Sequence, residues 1–151
     1  MRAPQAADTL SPLARHYFAA LPWAGAPATD SAGNAPGWLM GGAGSPAEDA
    51  QVIFHIRLSA DAQCVTEARF QAYGCPHTLA TAAWLAEQLP GRTRENLLPS
   101  PPADWISTLD VPVTKLGRML IIEDALRAVC SRWPEPAIAR TIQLRHGNFS
   151  D

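Results

Sequence analysis

The chain has 151 residues, 47% of them apolar, with a formal net charge of −2 and a pI near 6.0. That length fits one domain, spanning 1–151, with a moderate core. The missing basic excess argues against a nucleic-acid surface, and no apolar run of about 18 residues is present to cross a membrane. The first eight residues lack the apolar core of a signal peptide, so a cytoplasmic location is the default expectation.

In chain order, residues 9–20 read as a helix. Ser11 or Thr9 can cap it, Pro12 suits its first turn, and Leu13, Tyr17 and Ala20 fall on one face. Residues 21–36 are rich in Pro, Gly, Ala, Ser and Asn and read as loop. A short strand at 37–40 is expected next, before a glycine-rich turn. Residues 51–58 alternate: Val52, Phe54, Ile56 and Leu58 face one way, and Gln51, Ile53, His55 and Arg57 the other. Ser59-Ala60-Asp61-Ala62 makes a hairpin turn. Residues 64–73 alternate again, with Cys64, Thr66, Ala68, Phe70 and Ala72 inside.

The period then becomes helical over 76–89, with Leu79, Ala82, Ala86 and Leu89 on one stripe and Pro90-Gly91 ending it. A short helix carries Trp105 and Leu109 at 102–109. The longest helix runs over 115–133, where Met119, Ile122, Leu126, Val129 and Trp133 form a core stripe and Glu123 and Arg127 an exposed i,i+4 pair. Pro134 stops it, leaving a tail over 134–151. Strands first and helices afterwards give an α+β fold: a small antiparallel sheet of about three strands with helices on one face.

The three cysteines, Cys64, Cys75 and Cys130, form no C-x-x-C pair. This spacing argues against both a disulfide framework and a local zinc site. Cys64 and Cys130 fall on apolar faces and read as core residues. Cys75 differs, because it stands where a strand gives way to a helix. There the free N–H groups and the helix dipole favour a thiolate. His77 reads as an exposed first-turn residue or a ligand, His55 as a solvated strand residue and His16 as a surface residue. Trp23 and Trp38 fall in loops, where an exposed indole suits a partner surface.

The stretch Ala68-Arg69-Phe70-Gln71-Ala72-Tyr73-Gly74-Cys75, then Thr78-Leu79-Ala80-Thr81-Ala82, Gly91, Pro112, Lys115 and Glu123-Asp124-Ala125-Leu126 resembles the U-type iron–sulfur cluster assembly scaffolds, the IscU/NifU N-terminal domain family. Leu13-Ala14-Arg15-His16-Tyr17-Phe18 resembles that family's opening helix, and the similarity runs over about 10–133. The resemblance implies a non-enzymatic scaffold that builds a transient [2Fe–2S] cluster on three cysteines and an aspartate. It also implies a cysteine desulfurase and other assembly proteins as partners, met in part through Pro112 and Lys115.

The chain departs from the family's pattern at the ligands. Glu48 stands where the first cysteine is expected, Asp49 or Ala50 where the aspartate is, and Arg118 where the third cysteine is; Cys75 alone remains. A cluster needs about four soft ligands. Glu48 and Asp49 offer hard oxygens, and a guanidinium cannot ligate. Iron or a [2Fe–2S] cluster would then need Cys75, Glu48 and Asp49 together, with His77, or sharing across a homodimer. The replacements point instead to an ion pair between Arg118 and Glu48 or Asp49 at the former cluster site, with Arg118 also favouring the Cys75 thiolate. The expected function is a scaffold-like protein of iron–sulfur cluster assembly without a full cluster site of its own. Two alternatives stand beside it: a non-cluster binding or regulatory module that engages the desulfurase, and a thiol enzyme using Cys75, which lacks an obvious Cys–His–carboxylate order.

Overall fold

The computed structural model describes residues 9–134. Helix α1 covers Pro12–Ala20; strands β1, β2 and β3 cover Trp38–Ser45, Ala50–Leu58 and Val65–Tyr73; helices α2, α3 and α4 cover Pro76–Gln88, Pro102–Leu109 and Leu116–Arg132. The strands form one antiparallel sheet in the order β1-β2-β3. Helix α4 packs along β1 and β2, α2 along β3, and α1 lies on α2. The tail expected over 134–151 lies almost wholly outside the described residues, as do residues 1–8.

The expected α+β arrangement is present, and the periods explain it. On β2, Val52, Phe54 and Ile56 are wholly buried, so one sheet face meets the helices. The whole stripe of Met119, Ile122, Leu126 and Val129 on α4, with Trp133 just past its end, is buried, while Arg127 and Glu123 pair at 3.3 Å. At α1, Ser11 is the cap, its hydroxyl accepting from the Ala14 N–H at 3.1 Å. The face differs from expectation: Ala14 is the buried residue and Leu13 is exposed.

Three further differences have physical causes. The glycine-rich segment after Met40 is not a turn; it continues β1 to Ser45. Glycine is needed there because a Cβ at Gly41 would lie 2.4 Å from the Val129 backbone nitrogen of α4. In β3, Val65 is buried and Thr66 exposed, because the β2–β3 register shifts between Arg57 and Leu58 and turns the strand's start over. His55, expected to be solvated, is only 6% exposed and its Nε2 lies 2.8 Å from Gln71 Oε1 across the strands.

Candidate functional site

The chemistry gathers at one end of the sheet. Pairing of Ser45 with Ala50 and of Gln51 with Tyr73 brings the β1–β2 turn beside the corner where β3 becomes α2. A short 3-10 turn over Pro46–Glu48 leads to Asp49, which has a left-handed backbone at φ 60°. Across from it stands Gly74 at φ 153°. A Cβ at Gly74 would sit 3.3 Å from the Asp49 carbonyl oxygen and 3.2 Å from Thr78 Oγ1, so the corner closes against the turn because residue 74 has no side chain.

Cys75 is the N-cap residue of α2. Its Sγ lies 3.4 Å from the Thr78 hydroxyl. Burial pushes the thiol's pKa up, but the Thr78 hydroxyl, the N–H groups of Thr78 and His77 and the charge of Lys115 outweigh it. The pKa comes to rest below the ordinary thiol value. No cap hydrogen bond closes from the sulfur, so the two N–H groups act through their dipoles rather than through short bonds. The sequence places Thr78 only within the family-like stretch and gives it no role at Cys75, although its place three residues after an N-cap is a recognisable capping position.

Lys115 is the N-cap residue just before α4, and it supplies the cation that favours the thiolate. That role was expected of Arg118, with Lys115 and Pro112 assigned to partner binding. Arg118 lies in the first turn of α4 with its Nε buried and without a hydrogen-bond partner among the described residues. The expected ion pair is not made. Glu48 accepts from the Ser45 hydroxyl at 3.1 Å, and among the described residues the ion pair within 4.0 Å is Arg127–Glu123. The reason is local: Ser45 lies three residues before Glu48 and holds its carboxylate on the hairpin.

His77, expected at the surface, is wholly buried. Cys64 and Cys130 are half-buried rather than core residues. Cys130 donates to the Arg94 carbonyl at 3.6 Å and burial raises its pKa. Cys64 lies just before β3, at the end opposite Cys75, roughly 30 Å away at the usual rise per strand residue. Among the described residues no three His, Cys, Asp or Glu side chains gather closely enough to hold a metal ion. The residues at the corner are one thiol, hard carboxylates and the Lys115 cation, which do not fit an iron–sulfur cluster held by one chain.

A three-stranded antiparallel sheet, helices on one face and a thiolate-favouring cysteine at the strand-to-helix corner define a scaffold-type α+β domain. The chain belongs to the NifU-like N-terminal domain family, whose model matches residues 28–138. The chain is 26% identical over 86 residues to the iron–sulfur cluster assembly protein IscU of Plasmodium falciparum, covering 57% of this chain and 53% of that protein. It is 25% identical over 105 residues to iron–sulfur cluster assembly protein 1 of Arabidopsis thaliana, covering 70% and 63%. The chain thus spans between half and two thirds of these relatives' lengths. A crystal structure of a proposed iron–sulfur cluster assembly scaffold for the SUF system of Fervidobacterium islandicum AW-1 shares the fold, with a TM-score of 0.57 and 16% identity over 80% of this chain and 95% of that one.

Proposed function

We propose that this protein serves iron–sulfur cluster assembly as a scaffold-family member that carries sulfur on Cys75 and does not hold a complete cluster within one chain. The family membership and the likeness to iron–sulfur cluster assembly proteins support the process. The observation that carries the particular reading is the Cys75 corner: one thiol held below its ordinary pKa by α2 and Lys115, with the other two cysteines elsewhere.

The step is thiol exchange with the persulfide of a cysteine desulfurase. The Cys75 thiolate attacks the terminal sulfur, a new sulfur–sulfur bond forms at Cys75, and the donor cysteine leaves as thiolate. Nothing is oxidised or reduced overall. Thr78 and Lys115 favour the Cys75 thiolate, Gly74 lets the corner close, and Pro112 with Lys115 would meet the partner. In this reading the protein is not an enzyme, because the sulfur it takes up is handed on and no substrate is turned over.

The test combines anaerobic loading with a sulfur-transfer assay. With iron, sulfide and reductant, the protein is expected to emerge colourless from desalting. Incubated with a cysteine desulfurase and cysteine, it is expected to gain one sulfur on Cys75 by mass spectrometry, and Cys75→Ser to gain none. A monomer that keeps a coloured cluster through desalting would overturn the incomplete-site reading. Sulfur uptake by Cys75→Ser would overturn the role of Cys75.

A further inference from the structure

The sheet face turned away from α2 and α4 carries its own chemistry. Strand pairing sets Trp38, Arg57 and Glu67 side by side across the three strands, and Met40, His55 and Arg69 in the next row. The loop before β1 rises over this face, so Ala35 and Pro36 join Trp38, Arg57, Glu67 and Arg69 around a cavity of about 300 Å³. That loop is tied down by a bridge at the free edge of β3, where the Gly25 N–H donates to the Phe70 carbonyl at 2.7 Å and the Phe70 N–H to the Trp23 carbonyl at 3.0 Å.

Its charges are left over from folding. Arg57 and Glu67 are register partners, yet among the described residues no ion pair within 4.0 Å involves Arg57, Arg69 or Glu67. Two guanidiniums against one carboxylate leave one positive charge in excess, beside an indole. A guanidinium presents a planar fork that fits a carboxylate, and an indole offers a flat apolar face. A volume of this size is at the lower end for small-molecule sites.

The geometry points to a second site, for a small monocarboxylate carried on a flat apolar body. Arg57 and Arg69 take the carboxylate, Trp38 and Pro36 take the flat body, and Glu67 turns away ligands of higher negative charge. The site lies about 20 Å from Cys75, counted along β3 at the usual rise per residue, and its argument does not use the sulfur chemistry.

Benzoate is the probe, titrated into the ¹⁵N-labelled full chain while the Trp38 indole N–H resonance is followed. Saturable shifts of that resonance are expected with benzoate. Acetate, which has no flat body, is expected to bind at least several-fold more weakly, and benzylamine, with the same ring and the opposite charge, not to shift it. Arg57→Ala and Arg69→Ala are each expected to weaken benzoate about tenfold, the scale of one charge-assisted contact, with Arg69→Lys recovering only part because it loses the fork. Cys75→Ser is expected to leave benzoate binding unchanged. The site is overturned if benzoate leaves the Trp38 resonance unmoved, if benzylamine moves it equally, or if folded Arg57→Ala and Arg69→Ala, judged by their dispersed spectra, bind benzoate as the parent does.

Discussion

At the scale of single residues, Cys75 is set by a contest between burial and local dipoles, and the dipoles with Lys115 win. Removing Lys115 or the Thr78 hydroxyl should therefore raise the thiol's pKa. Lys115→Met and Thr78→Val are both expected to move the pH–rate curve of iodoacetamide alkylation at Cys75 to higher pH. The same shift links to stability. Because the folded pKa lies below the unfolded one, the thiolate's contribution is fully present above the unfolded value and is lost as pH falls through the folded value. The melting temperature of the parent relative to Cys75→Ser should thus rise from neutral to alkaline pH; a flat difference would show that the sulfur is not held as described. Cys75 and its corner were legible in the sequence because an N-cap position is a local feature. The failure of Arg118 to pair was not, because Glu48 is held by Ser45 and the choice between these partners depends on a hairpin geometry that residue types do not specify.

Among the elements, β1 shows how a glycine strand is placed by its neighbour. Its alternation is invisible in the sequence because glycine carries no pattern, and helix α4 determines where a side chain can stand. Gly41→Ala is expected to cost about 3 kcal/mol in denaturant unfolding, at the upper end for overpacking, since both Val129 N and Ala128 C lie within 2.8 Å of the added carbon. Gly42→Ala is the control: its nearest neighbours, the Ile53 side chain at 3.1 Å and the Val52 carbonyl oxygen at 3.3 Å, lie farther off than those of Gly41, and it should cost less. Helix α1 is attached by few polar contacts. The Ser11 hydroxyl both accepts from Ala14 and donates to the Leu109 carbonyl at 2.7 Å, and the Tyr17 hydroxyl donates to Glu87 on α2. The Glu87 hydrogen bond is the main reason the Tyr17 pKa is raised to about 12. Ser11→Ala is expected to cost about 1–2 kcal/mol, the usual range for losing a cap and a second hydrogen bond, measured by urea unfolding. The sequence narrowed the cap to Ser11 or Thr9, and the structure gives it to Ser11; the buried face of α1 is set by where α2 lies.

Across the whole molecule, one sheet face is covered by the helices and supports the fold. Helix α4 covers β1 and β2, and its end is tied to the β2–β3 hairpin by the Trp133 indole N–H donating to the Ala62 carbonyl at 2.8 Å. Leu126, wholly buried on that helix, is therefore expected to report on the entire fold. Leu126→Ala should cost about 3 kcal/mol, within the range for such truncations. Its fluorescence and far-ultraviolet circular dichroism transitions should shift together; separated transitions would show that the sheet and α4 unfold as independent units.

The sequence by itself determined the β2–β3 pair, the α4 stripe, the α+β order and the special position of Cys75. Each of these is written in a repeat of two or 3.6 residues or in a local corner, and so in residues near one another in the chain. Only the tertiary structure decided that His55 and His77 are buried, that Lys115 rather than Arg118 favours the thiolate, and that Trp38, Arg57, Glu67 and Arg69 share one cavity. These features join residues far apart in sequence, and their contacts exist only once the strand register and the packing of α2 and α4 have fixed which side chains meet.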